Sequence, residues 1–266
     1  MGASLSDTTA TSGKRMKLIV ASPHKVGSTW LGEMLCDSLG VQRLATVPEI
    51  HRENRNIDVL IDLGSTGALD YIHALDSAAV FKSHSVCPDR IDEYNRRNDT
   101  YVFTIVRDPR DALVSMCFYV EAIPDGEGGH SELRSLPVPE RMLRLIQWGE
   151  LGLFESWSGA PSVHKFRYEE LHADPRAALL AGFRNYGLGL QVTEQSLSRR
   201  SFEARSEQIR KLGRNNPIFR KGAVGDWKNY FDRNISNSFK TARDGRWNAI
   251  LLGLGYESEP DWQPAF

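Results

Sequence analysis

One short grammar, repeated along the chain, most constrains how this sequence can fold. A compact apolar run from Met16 to Ser22 ends at Pro23 and Gly27. It is followed by Ser28 to Leu39, where Trp30, Leu31, Met34, Leu35 and Leu39 share one helical face before Gly40 stops it. Ala78-Ala-Val-Phe81 runs into a turn marked by His84 and Pro88. The continuous β-branched and aromatic run Tyr101 to Val106 passes through Asp108-Pro109 into a helical pattern from Asp111 to Val120. Runs apolar on both faces suit strands covered on both sides, and strands alternating with helices specify a parallel sheet. Pro139 to Glu155 and Pro175 to Tyr186 read as further helices, with Val163 to Tyr168 as a strand between them. The expectation is a single α/β domain over residues 14–266, a central parallel sheet flanked by helices. Residues 1–13, rich in Ser, Thr and Gly, read as a disordered tail. Ile123 to Pro139, with Gly126, Gly128 and Gly129, reads as a long mobile loop of the kind that often forms a lid.

Charge and cysteine usage narrow the classes of function. With 33 Lys+Arg against 34 Asp+Glu, the formal charge of −1 lacks the basic excess of a nucleic-acid binder, so any anion site must be local. Three cysteines, Cys36, Cys87 and Cys117, form no CxxC pair, neither a disulfide framework nor a zinc knuckle, and suit a reducing, cytoplasmic setting. No metal site is expected. The longest apolar runs, Lys17 to Ala21 and Tyr101 to Val106, fall far short of the roughly 18 residues of a membrane span.

Lys25-Val-Gly-Ser-Thr-Trp30 follows a strand and opens a helix, where backbone N–H groups and the helix dipole favour an anion. Gly27 permits close backbone approach, Ser28 and Thr29 add hydroxyl donors, and Lys25 adds a mobile charge. Read alone, the segment is also compatible with a serine cap on an ordinary helix. This P-loop-like segment departs from the triphosphatase pattern GxxxxGK[ST], because its lysine precedes the glycine, which disfavours a Mg-ATP site and a kinase.

Six ordered blocks carry a resemblance. Lys25 to Trp30, Lys82-Ser-His84, Arg107-Asp-Pro-Arg-Asp-Ala-Leu-Val-Ser115, Arg167-Tyr-Glu-Glu-Leu171, Ser201-Phe202 and Arg220-Lys-Gly-Ala-Val-Gly-Asp-Trp227 together resemble the signatures of the cytosolic-type sulfotransferases. That family uses 3′-phosphoadenosine 5′-phosphosulfate (PAPS) and releases the bisphosphate PAP. The resemblance implies that Lys25, Gly27, Ser28 and Thr29 grip the 5′-phosphosulfate, with Trp30, Tyr168 and Phe202 around the adenine. It places Arg107, Ser115 and Arg220-Lys221-Gly222 on the 3′-phosphate. It makes His84 the general base, with Lys25, Lys82 and Ser115 in the catalytic group, and needs no metal. Taken singly, Arg107 is as compatible with pairing to Asp108 or Asp111 at a helix start, and Trp30, Tyr168 and Phe202 with plain core packing. A silent nucleotide-binding protein of the same fold is the rival reading.

The chain also departs from the pattern. His24 stands where the family usually has proline directly before the loop lysine; it could touch the phosphosulfate or face solvent, and solvent is the expectation. Arg200 stands where threonine is frequent, which leaves the adenine contact there open, and Asp232-Arg233 replaces part of a short dimerisation motif. The acceptor pocket is expected beside His84, walled by Val47 to Asp62, Val86 to Tyr94 and Phe118 to Pro139. Glu49, His51, Arg52, Glu53, Glu121, Asp125 and Glu127 in these walls favour a polar small-molecule acceptor.

Overall fold

Strands β1 (Lys17–Ala21), β2 (Ala79–Ser83), β3 (Thr100–Val106) and β4 (His164–Arg167) form one sheet in the order β2-β1-β3-β4. Every pairing is parallel, with Val20 opposite Lys82 and Val106 opposite Arg167 near the carboxyl ends. This computed structural model describes residues 15–42, 45, 61–65, 67–95, 99–122, 131–149, 151–211 and 220–264. The expected tail at residues 1–13 lies outside them.

Strand alternation sorts the core into two layers. Leu18, Val20, Phe103 and Ile105 point into one layer, with Leu31, Leu35, Val114 and Trp247. Ile19, Ala21, Phe81 and Val102 point into the other, with Ile72, Tyr94 and Trp157. Helices Ser28–Leu39 and Pro109–Ala122 follow β1 and β3 as the sequence requires, and Gly40, at φ 75°, ends the first. The chain lays β2 on one side of β1 and then crosses to lay β3 on the other. A crevice therefore opens at the carboxyl ends of the strands, where ligands bind in open α/β sheets.

Two expectations need correction. Pro139 to Glu155 is not one helix but two, Val138–Trp148 and Leu151–Gly159. The break comes at Gly149, whose N–H still donates to the Leu145 carbonyl at 2.6 Å while its own backbone leaves the helical region at ψ 164°. Nor is Ile123 to Pro139 loose throughout. Buried Arg141 donates to the carbonyls of Leu133, Arg134, Leu136 and Cys117 at 2.8 to 3.1 Å, pinning the stretch from Leu133 onward. Residues 123–130 lie outside the described residues.

Candidate active site

Each of the four strands delivers a candidate residue at its carboxyl end: Lys25 after β1, Lys82 and His84 at the end of β2, Arg107 after β3 and Tyr168 after β4. The local backbone explains how the first loop is shaped. Lys25 sits at φ 64° and Gly27 at φ 99°, both left-handed. A Cβ on Gly27 would stand 2.8 Å from a Tyr168 ring carbon, so the position excludes any larger residue. Left-handed backbone costs a lysine about 1–2 kcal/mol. Arg107 braces it by donating to the Lys25 carbonyl at 3.2 Å.

His84 is half-buried. Its Nδ1 lies 2.7 Å from the Ser22 carbonyl oxygen, which can only accept, so Nδ1 carries the proton and Nε2 presents its lone pair. Burial, then the charges of His24 and Lys82, hold its pKa well below the usual imidazole range. A neutral imidazole with an acceptor nitrogen is what a general base requires.

Lys25 and Lys82 bear on His84, and Arg107 and Arg220 bear in turn on Lys25. Burial, then Lys82, Arg107 and Arg220, bring the Lys25 ammonium down to about 7, and its Nζ lies 4.1 Å from the centroid of the Tyr119 ring. Buried Lys82 donates to the Thr29 hydroxyl at 2.7 Å, joining the end of β2 to the first loop. Arg107 donates to the carbonyls of Lys25 and Ala223, rests 4.2 Å from the Tyr168 ring centroid, and approaches Asp111 at 3.8 Å. Arg220 pairs with Asp226 and stacks on Phe118 at 4.5 Å, while Lys221 donates to Asp226 at 3.0 Å. The Nε atoms of both Arg107 and Arg220 are buried with no hydrogen-bond partner among the described residues. Two orphaned guanidinium donors within a cation cluster fit a phosphate-bearing ligand. Ser115 is half-buried about two helical turns on from Asp108, on the Pro109–Ala122 helix that Arg107 precedes.

The expected adenine residues come together. Tyr168 donates to the Gly222 carbonyl at 3.2 Å and meets Trp30 edge to face at 5.9 Å. Gly222 is left-handed at φ 63°, and a Cβ there would stand 2.5 Å from a Phe202 ring carbon. Gly222→Ala is therefore expected to displace Phe202 and to strain the backbone by about 1–2 kcal/mol. Checked by thermal unfolding with and without PAP, the variant should lose most of the stabilisation PAP gives the parent. An undiminished PAP shift would remove Gly222 and Phe202 from the site.

Several contributors were given no supporting role at the site by the sequence. Asp111, read only as a possible partner of Arg107, accepts from the backbone N–H groups of Gly225 and Trp227 at 2.7 and 2.8 Å and so holds the 220–227 loop against the helix. Arg110 is buried between Asp108 and Glu257, 3.6 Å from the centroid of the Trp227 ring. The Arg200 carbonyl accepts from the Trp30 indole at 2.8 Å, and its guanidinium pairs with Asp37 and Glu33 on the same helix as Trp30. The local signal for Arg200 was its departure from the family pattern.

His24 does not face solvent as expected. It is half-buried, with its ring centroid 3.9 Å from that of His84 and the planes 31° apart. Of the wall residues, Glu121 accepts from Arg141 at 2.7 Å, and Glu49, His51, Arg52, Glu53, Asp125 and Glu127 lie outside the described residues.

Among the described residues, no cluster of His, Cys, Asp and Glu could hold a metal ion, and no helix is long and apolar enough to cross a membrane. The three cysteines are free thiols.

Sulfotransferase 6B1 of Pan troglodytes is 24% identical over 257 residues, covering 91% of this chain and 80% of its own. The 3-alpha-hydroxysteroid sulfotransferase of Cavia porcellus is 25% identical over 239 residues, covering 80% and 77%. The fold is shared with mouse sulfotransferase SULT7A1 complexed with PAP, at a TM-score of 0.62 and 18% identity over 92% of this chain and 90% of that one. It is shared also with retinol dehydratase in complex with androsterone and PAP, at a TM-score of 0.57 and 17% identity over 90% and 81%. The model of the sulfotransferase domain matches residues 15–245, a span that contains all four strands, the cation cluster and His84, and the chain belongs to that family.

Proposed function

We propose that this chain moves a sulfuryl group from PAPS to a hydroxyl or amine of a small-molecule acceptor, releasing PAP. The observation that carries the reading is His84, held neutral with Nδ1–H on the Ser22 carbonyl, beside the cluster of Lys25, Lys82, Arg107 and Arg220. PAPS, when bound, supplies the sulfuryl group: a bond from the acceptor atom to sulfur forms as the sulfur–oxygen bond to the phosphate breaks. His84 Nε2 takes the proton that leaves the acceptor. Lys25 and Lys82 neutralise charge as it gathers on the departing phosphate, by the electrostatic logic of phosphoryl transfer. Arg107, Ser115, Arg220, Lys221 and Gly222 hold the 3′-phosphate, and Trp30, Tyr168 and Phe202 wall the adenine. The orphaned Nε atoms of Arg107 and Arg220 support that assignment. The same reading assigns the reaction no metal ion, takes residues 14–266 as one catalytic domain, and places it in the cytoplasm with its cysteines unpaired.

Thermal unfolding in EDTA with PAP, PAPS, AMP and ATP tests this directly. A ligand at 100 times its dissociation constant stabilises by about 2.7 kcal/mol, and PAP and PAPS are expected to approach that while AMP falls well short. No shift with PAP overturns the reading, and a PAP shift without turnover of PAPS identifies a silent binder. The acceptor is proposed to be polar, on the charge of the wall segments, whereas the Cavia porcellus relative is named for a hydroxysteroid. Faster turnover of steroids and hydrophobic phenols than of polar alcohols and amines would overturn that part.

A further inference from the structure

The base does not stand alone. His24 and His84 come from different segments, the first loop and the end of β2, yet their ring centroids approach to 3.9 Å with only 31° between planes. His84 is thus held at two places: Nδ1–H on the Ser22 carbonyl at 2.7 Å, and one ring face against His24. A single hydrogen bond leaves an imidazole free to pivot about that bond. A flat neighbour on its face removes the pivot.

We infer that His24 is a positioning residue for His84, its ring fixing the plane of the imidazole and so the direction in which Nε2 meets the acceptor. The inference rests on the reading of His84 as the base. Its charge adds a second effect. The groups bearing on His84 are His24, Lys82 at the end of β2, Lys25 in the first loop and the Ser22 carbonyl, and all three side chains oppose a positive charge on His84. A positive charge on His24 makes a proton on His84 less favourable. The base consequently stays in its working form to lower pH than it would beside an uncharged ring.

Three variants separate these effects. His24→Ala removes the ring and the charge, His24→Phe keeps a flat ring and drops the charge, and His84→Ala removes the base. Turnover is followed across pH with saturating PAPS, and the His84 ring is titrated by NMR in the full chain. His24→Ala is expected to lower plateau kcat on the order of 10-fold, since small misplacements of reacting groups carry losses up to about 100-fold. The KM for PAPS should change little, because the proposed donor contacts do not include His24. His24→Phe should recover much of the lost kcat. In both variants the acidic limb of the rate profile and the NMR titration of His84 should move to higher pH. Turnover of His24→Ala like the parent's, with His84→Ala inactive, overturns the positioning role of His24, and a His84 titration that stays put in both variants overturns its charge effect. A titration that moves while His24→Ala and His84→Ala both turn over like the parent overturns the base reading, and the role of His24 with it.

Discussion

His84→Ala is expected to lower kcat by about 10²- to 10⁴-fold, the range general-base catalysis contributes, while PAP still stabilises the protein. The two halves of that result have separate structural origins. Among the described residues, the His84 side chain bonds the backbone through Nδ1 and the Ser22 carbonyl, whereas the cations proposed to hold the nucleotide are braced by other partners: Thr29 for Lys82, and Lys25 and Ala223 carbonyls for Arg107. Removing the imidazole therefore leaves the anion site standing. Steady-state turnover with saturating PAPS, set beside the PAP thermal shift, reads both. Retention of more than a tenth of the parent rate would remove His84 from the role.

The second large effect is expected at Arg107. Its guanidinium ties the first loop to the 220–227 loop through two carbonyls, and its buried Nε has no partner among the described residues. Arg107→Ala should weaken PAP by about 100-fold, equivalent to ~2.7 kcal/mol, and AMP far less, because the missing contact is the one proposed for the 3′-phosphate. Arg107→Lys keeps the charge but cannot fork between partners, and should fall between. Calorimetry with PAP and AMP on all three proteins decides, with the lysine variant guarding against a loss that is merely of fold. An unchanged ratio of PAP to AMP affinity would move the 3′-phosphate elsewhere.

Much of this was legible in the sequence because backbone rules act locally. The strand, loop and helix at Lys17 to Leu39 follow from an apolar run, a glycine and a helical face, and the structure has each of them. The strand ends bring Lys25, Lys82, His84, Arg107 and Tyr168 together because a parallel sheet places every carboxyl end on one side. What was not legible depends on contacts between distant segments. No local pattern says that Asp111 will accept from Gly225 and Trp227, or that the Arg200 carbonyl will accept from the Trp30 indole. His24 was misread for the same reason, since its partner lies sixty residues away across a strand pairing. The break at Gly149 was missed because an apolar stripe continues through both helices and hides the corner.

The depressed ammonium of Lys25 has a meaning beyond its own titration. A lysine brought down to about 7 stands in a crevice where burial first, and like-charge repulsion from Lys82, Arg107 and Arg220 second, oppose its ammonium. In a chain whose overall charge is −1, that repulsion is invisible to any bulk property. A polyanion entering the crevice does more than attract its binders, because it cancels the work of holding them near one another. Part of the affinity for such a ligand is therefore already present in the ligand-free protein as electrostatic strain, and occupancy and conformational stability become a single property of the molecule.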